Sequence, residues 1–340
     1  MAEARRAATA ADVARLAGVS KATVSYVLSG RRSGDSRVRD ETRQRILEAV
    51  RALDYVPDQS ARALRRRRTE RVCLVLPRLG VPYFDELATE LQDAMAAHGY
   101  ALVITVSDVV DERSAVVQQL RRRLADGVVI VPGTRATNEA LTGLVGLGIA
   151  VVLVADEPAR DGIDVVSSNA SDACRGAVEY LVSQGHRRIA FIGQFPPHAH
   201  RHSRYDGYLA ALRSSGLQLD ERLVVSGASS RAEAYRSAVR VLESPDRPSA
   251  VFAASDIAAV STIWAARDLE LRVPDDVAVI GVGNIDEDLV MNPPLTSVGP
   301  ATVGAAEIAE LLVSRMTGEA PAAGRTRLQP WELVRRGSAP

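Results

Sequence analysis

The chain has 340 residues, 46% hydrophobic and 25% charged, with 42 basic and 42 acidic side chains. Such a chain is globular and too long for one small core, which favours two or three units. The zero net charge conceals a split, because residues 1–71 carry 17 basic against 9 acidic side chains and the remainder carry 25 against 33. A basic head on an acidic body suits a polyanion at the head alone.

No charged-then-apolar segment opens the chain, so it reads as a cytoplasmic protein. Thr9 is placed to cap a helix through about Ala17, with Val13 and Leu16 on one side. Gly18-Val19 makes a turn, and Ser20 caps a second helix, Lys21–Leu28. A Gly- and Arg-rich loop, Ser29–Arg37, precedes a third helix from about Arg39 to Leu53, whose Ile46, Val50 and Leu53 share one face. Two helices joined by a glycine turn and braced by a third make a helix-turn-helix, whose second helix enters the major groove. Lys21 and Ala22, and Tyr26 one turn on, then face base edges. Lys21 is placed to donate to guanine O6 and N7, and Ala22 to touch a thymine methyl. Thr9, Ser20, Thr23 and Ser25 suit phosphate oxygens; the plainer alternative is that Ser20 caps and Thr23 packs.

Pro57 breaks the chain, and Asp58 is placed to cap a short helix, Gln59–Arg65. The run Arg65–Arg68 is either a solvated linker or a phosphate contact. From Arg71 onward apolar runs alternate with helical stretches. Expected strands are Val72–Leu76, Ala101–Val106, Gly127–Val131, Ala150–Val154, Ile189–Ile192, Ala250–Ala253 and Val277–Val282. Expected helices include Phe84–His98, Ala170–Gln184, Ser203–Ser214, Arg231–Leu242 and Ile257–Leu269. This alternation gives parallel sheets covered on both faces, divided between two α/β lobes. The longest apolar run, Gly143–Ala155, is too short for a bilayer, which needs about 20 residues. Cys73 and Cys174 fit no disulfide framework or zinc spacing.

Lobes of this kind bind ligands at the carboxyl ends of their strands. After the first strand, the rings of Tyr83 and Phe84 are available to stack on a sugar face or a base, with core packing the alternative for Phe84. Asp156 ends another strand. The histidines of His198-Ala-His200-Arg-His202 read as a solvated loop rather than a metal site, and Trp264 as core or a subunit interface. Lys21 is the sole lysine, which removes Schiff-base and P-loop lysine chemistry from the body. Gly281-Val-Gly283 lacks the third glycine of a dinucleotide loop, and neither GxSxG nor HExxH occurs. No enzyme and no cofactor is expected.

The run Thr9-Ala-Ala-Asp-Val-Ala-Arg-Leu-Ala-Gly-Val-Ser-Lys-Ala-Thr-Val-Ser-Tyr-Val-Leu resembles the head signature of the lactose-repressor (LacI) family of transcription factors. So do Asp54-Tyr-Val-Pro-Asp, Gly185-His-Arg-Arg-Ile-Ala-Phe-Ile-Gly, Arg204-Tyr-Asp-Gly-Tyr, Ala254-Ser-Asp256, Val273-Pro-Asp-Asp-Val-Ala-Val-Ile-Gly and Glu332-Leu-Val-Arg-Arg-Gly-Ser. The resemblance implies an α + α/β chain: a helix-turn-helix head at 1–56, a hinge helix and linker at 57–70, and a sensor at 71–340. The sensor would be two lobes like a type I periplasmic binding protein, with crossings near Ser167, Val298 and Leu328. It implies a homodimer on a near-palindromic double-stranded DNA operator. In the hinge helix, Leu64 would wedge between base steps, Ala61 would let paired helices approach, and Arg62 would enter the narrowed minor groove. In the sensor, Arg204 and Asp256 would face each other across the cleft and bind effector oxygens and hydroxyls. Tyr26, Asp58 and Val282-Gly283 depart from the family pattern; of the pocket's polar pair only Asn284 keeps a polar head. The implied effector is a sugar or sugar derivative, with a nucleoside as the alternative.

Overall fold

In the computed structural model, residues 8–28, 38–55, 68–193, 203–225 and 230–340 are described. They fall into two compact units, within 1–69 and 70–340. In the first, Thr9 and Asp12 form a reciprocal capping box that starts α1 (Ala10–Ala17), satisfying two helix-end donors at once. Gly18 ends it at φ +64°, donating back to Ala14 and Arg15, a left-handed turn that glycine enters without a Cβ penalty. Next come α2 (Lys21–Leu28) and α3 (Asp40–Ala52), the latter with Asp40 and Glu41 in its first turn. Val13, Ala14, Ala17, Val24, Val27, Ile46 and Ala49 make the shared core. Leu16 is 57% exposed rather than packed beside Val13. The buried face of α1 is centred among Val13, Ala14 and Ala17, about a third of a turn from Leu16.

The second unit opens with β1 (Arg71–Leu76), α4 (Pro82–Ala97), β2 (Ala101–Val106), β3 (Val109–Val110), α5 (Ala115–Arg121) and β4 (Gly127–Ile130). It continues through β5 (Arg135–Ala136), α6 (Asn138–Gly146), β6 (Ala150–Val154) and β7 (Ile163–Ser168). The chain then builds α7 (Ala170–Ser183), β8 (Ile189–Ile192), α8 (Ser203–Ser214), β9 (Val224–Val225), α9 (Arg231–Leu242) and β10 (Ala250–Ala253). After these come α10 (Asp256–Asp268), β11 (Ala278–Val282), α11 (Glu287–Val290), β12 (Thr296–Pro300), α12 (Ala305–Thr317), β13 (Thr326–Gln329) and β14 (Trp331–Val334).

Apart from the β3–β5 pair, the strands form two six-stranded sheets, ordered β13-β7-β6-β4-β1-β2 and β14-β12-β11-β10-β8-β9. All pairings within them are parallel except β12 with β14. Each sheet is the centre of one lobe, with apolar clusters on both faces, as parallel sheets require. The chain passes between lobes at Asn169, over 301–304, and at Pro330. Here α12 and β13 return to the first lobe, where Ile308, Leu311 and Leu312 pack on β1, β4 and β6. Cys73 and Cys174 are free and buried. Among the described residues no helix is long and apolar enough to cross a membrane.

Candidate functional site

The head presents its polar groups through the capping of α2. Ser20 Oγ accepts the Thr23 N–H at 3.1 Å and shares a 2.9 Å hydrogen bond with Thr23 Oγ1. This orients the first turn so that Val24 and Val27 are buried while Ser20, Lys21 and Ala22 are exposed. Ser25 and Tyr26 are half-buried one turn on. Thr9 spends its hydroxyl on Asp12 Oδ2 at 2.7 Å. Thr9, Ser20 and Thr23 therefore hold helix ends, and the exposed leading edge that remains is Lys21 and Ala22. The hinge residues Ala61, Arg62 and Leu64, like His198, His200 and His202, lie outside the described residues.

In the two-lobed unit the expected cleft residues divide. Tyr83 sits in the first turn of α4, which begins at Pro82 rather than Phe84, with Val81 as its N-cap. Its ring meets Phe84 edge-on at 5.7 Å, and Phe84 packs on the first lobe's core. Burial pushes the Tyr83 hydroxyl up to about 12, opposed by the Arg204 charge from the other lobe. The Arg204 charge is thus felt at Tyr83 from the other lobe. Arg204, at the start of α8, donates Nη1 to the Ala254 carbonyl just beyond β10. Its Cζ lies 5.8 Å from the Trp331 ring centroid, within reach of a cation–π attraction.

Asp256 corrects the expected pairing across the cleft. It begins α10 in the same lobe as Arg204 and is only 2% exposed. Its Oδ1 accepts from Ser297 Oγ at 2.6 Å and its Oδ2 from the Ile285 N–H at 3.4 Å. These bonds tie the start of α10 to β12 and to the turn after β11. Burial raises it well above the usual carboxylate range, the hydrogen bond from Ser297 opposing. Asn284 is likewise committed inward, donating Nδ2 to the Pro300 carbonyl at 3.0 Å and accepting from Arg336 at 2.7 Å. Asp156 is exposed at the end of β6, and its Oδ1 accepts the N–H and hydroxyl of Ser168, each at 2.9 Å, tying β6 to the first crossing.

The structure adds residues the sequence reading did not single out. Asn169 receives the Trp331 N–H at 2.6 Å and donates to the Trp331 carbonyl at 3.2 Å, joining the first and third crossings. Gln329 donates to the Thr302 carbonyl at 2.5 Å, joining the second and third. An asparagine and a tryptophan 162 positions apart leave no local signal of such a contact. Among the described residues no group of three or more His, Cys, Asp or Glu side chains is placed to hold a metal ion.

Comparisons with known proteins agree with both units. The family described as "Bacterial regulatory proteins, lacI family" matches residues 9–58, and "Periplasmic binding protein-like domain" matches 178–339. An HTH-type transcriptional repressor PurR from Erwinia tasmaniensis is 31% identical over 343 residues, covering 98% of this chain and 97% of that protein. Catabolite control protein A from Priestia megaterium is 30% identical, covering 84% of this chain and 86% of its own. Among solved structures, the transcriptional regulator CelR–cellobiose complex is 28% identical with TM-score 0.67, covering 97% of this chain and 99% of that one. The lac repressor dimer bound to operator and an anti-inducer shares the fold at 22% identity and TM-score 0.78, covering 98% and 99%.

Proposed function

Because the chain belongs to the lacI family of bacterial regulatory proteins, we propose that it is a homodimeric repressor whose grip on a near-palindromic operator is set by a small molecule between the lobes. Its relatives are transcriptional repressors and not enzymes. The observation that carries the DNA reading is the leading edge of α2, where Lys21 and Ala22 stand exposed at a capped helix start. That is the part of a recognition helix that meets base edges. Lys21 reads a guanine, Ala22 a thymine methyl, and the hydroxyls of Ser20, Thr23 and Ser25 meet phosphates at the helix N-terminus. Ala61, Arg62 and Leu64 in the joining segment engage the operator centre.

Homodimerisation is supported by exposed apolar side chains on each lobe. Ile104 and Val106 are 46% and 51% exposed on the edge strand β2, and Leu289 and Val290 are 60% and 83% exposed at α11. Apolar surface at such positions marks an interaction face. The effector is a sugar or sugar derivative held between Tyr83 and Arg204, supported by the cellobiose complex of the similar regulator. A nucleoside or purine is the second reading, favoured by the Tyr83–Phe84 ring pair and by the PurR relatives. The repressor acts in the cytoplasm and needs no cofactor.

Selection of bound sequences from randomised duplex DNA tests the reading. Enrichment of a site with two inverted halves is the expected result. Retention of all sequences alike, with an affinity equal to that for bulk DNA, overturns it.

A further inference from the structure

Trp331 stands opposite Pro300, the last residue of β12, so the residue lies at the carboxyl edge of the second sheet, half-buried against that lobe's core. Both of its backbone polar groups are taken by the Asn169 side chain, which fixes the residue where the first and third crossings meet. The indole Nε1 is nevertheless buried and has no hydrogen-bond partner. A buried indole N–H ordinarily finds one. Arg204 lies over the same ring and gives one N–H to the Ala254 carbonyl, leaving most of its five donors unspent on that bond. The buried carboxylate that feels the Arg204 charge, Asp256, already accepts from Ser297 and Ile285. The orphaned indole N–H and the charged guanidinium therefore belong to one neighbourhood.

We propose that Trp331 is an effector-contact residue, and that its indole N–H and the Arg204 guanidinium together receive an oxyanion, a carboxylate or a phosphate, carried by the effector. This rests on the reading of the interlobe cleft as the effector site and narrows the class of molecule it takes. A planar guanidinium matches the two oxygens of a carboxylate or phosphate, and its charge favours an anion over a hydroxyl. The indole adds a donor whose burial goes unmatched unless an acceptor arrives. The cation–π attraction to the ring and the bond to Ala254 both restrain the guanidinium before a ligand enters.

The chain has two tryptophans, so in the full-length Trp264→Phe protein emission reports Trp331 alone. Matched sets are titrated into it: glucose, gluconate and glucose 6-phosphate; ribose, ribonate and ribose 5-phosphate; adenosine and adenosine monophosphate. Melting temperature and emission are followed together. The expected result is that an acidic member raises the melt and shifts the Trp331 emission while its neutral counterpart does neither, with carboxylate and phosphate members separating the two sources. Adding Trp331→Phe keeps an aromatic face and removes the N–H; it should weaken that binding about 10-fold or more. A neutral compound that binds better than its acidic counterparts overturns the proposal. So does an acidic one whose binding leaves Trp331 emission and the Trp331→Phe affinity unchanged; in both cases the cleft remains the effector site. If no member of any set raises the melt, the cleft reading fails for these classes and the proposal with it.

Discussion

Asp288 carries both carboxylate oxygens into the second lobe without a hydrogen-bond donor on either, and its nearest cation is Arg336 at 3.7 Å. Burial, and next the Asp256 charge, push its carboxyl up to about 8, with Arg336 opposing. The two buried acids thus hold a proton that the unfolded chain would release above about pH 4. A folded-state pKa raised above the unfolded value makes stability fall as pH climbs between the two. Asp288→Asn removes the penalty, so it is expected to raise stability at pH 8 by on the order of 2 kcal/mol while changing little at pH 4. Urea unfolding at the two pH values checks this; an equal effect at both contradicts the account. Asp164 behaves oppositely. Burial alone would raise it, but hydrogen bonds from Arg315 and Arg325 prevail and hold it at about 2. Its contribution is complete above the ordinary carboxylate range and is lost as pH falls through about 2. Neither role is legible in sequence. The resemblance marks Asp256, but which way its carboxylate turns is decided by Ser297, 41 residues away. Arg204 was legible through the family resemblance, and Tyr83 through its place at the start of α4, the helix that follows β1.

At the scale of elements, α7 and α8 pack through Gly207. A Cβ there would stand 2.6 Å from the Ser171 carbonyl oxygen, 3.0 Å from the Arg175 nitrogen and 3.0 Å from Cys174 Cβ. Alanine gains about 1 kcal/mol of helix propensity over glycine, whereas forcing backbone apart in a packed interior costs about 1–3 kcal/mol or more. The obstacle is backbone, so the second effect prevails. Gly207→Ala is expected to lower the melting temperature, and a rise would show that the helices separate freely. In the head, Lys21→Ala removes the one ammonium at the leading edge of α2. Operator affinity is expected to fall about 5- to 150-fold, as loss of a base contact does, with the melt unchanged; anisotropy on the selected site measures it. The strands legible in the sequence are continuous apolar runs, buried on both faces except for the edge strand β2. Sequence reading passed over β12, Thr-Ser-Val-Gly-Pro, and β13, Thr-Arg-Leu-Gln, because their stability comes from neighbours. β13 is largely exposed and exists by pairing with β7, and β12 is buried through bonds to the chain's last residues.

At the scale of the whole molecule, a ligand between the lobes acts on DNA only through what differs between lobe arrangements. Three crossings carry that difference, and side chains brace them: Asn169 ties the first to the third, and Gln329 the second to the third. Gln329 is 9% exposed and its amide donates to the Thr302 carbonyl. Its hydrogen bond runs to Thr302 and not to Tyr83, Arg204 or Trp331, so its removal loosens the linkage without stripping a ligand contact. Coupling in such systems is typically about 1–3 kcal/mol, a 5- to 150-fold change in affinity, and it is reciprocal. An effector that changes operator affinity by some factor must have its own affinity changed by the same factor when operator is present. Gln329→Ala is expected to reduce both factors equally, with effector affinity in the absence of DNA held within about 2-fold. Titrating effector with and without operator, and operator with and without effector, closes the cycle for the parent and the variant. If the factor survives Gln329→Ala intact, the lobes transmit their motion through other contacts. If DNA-free effector affinity collapses instead, Gln329 shapes the binding cleft itself rather than the joint between lobes.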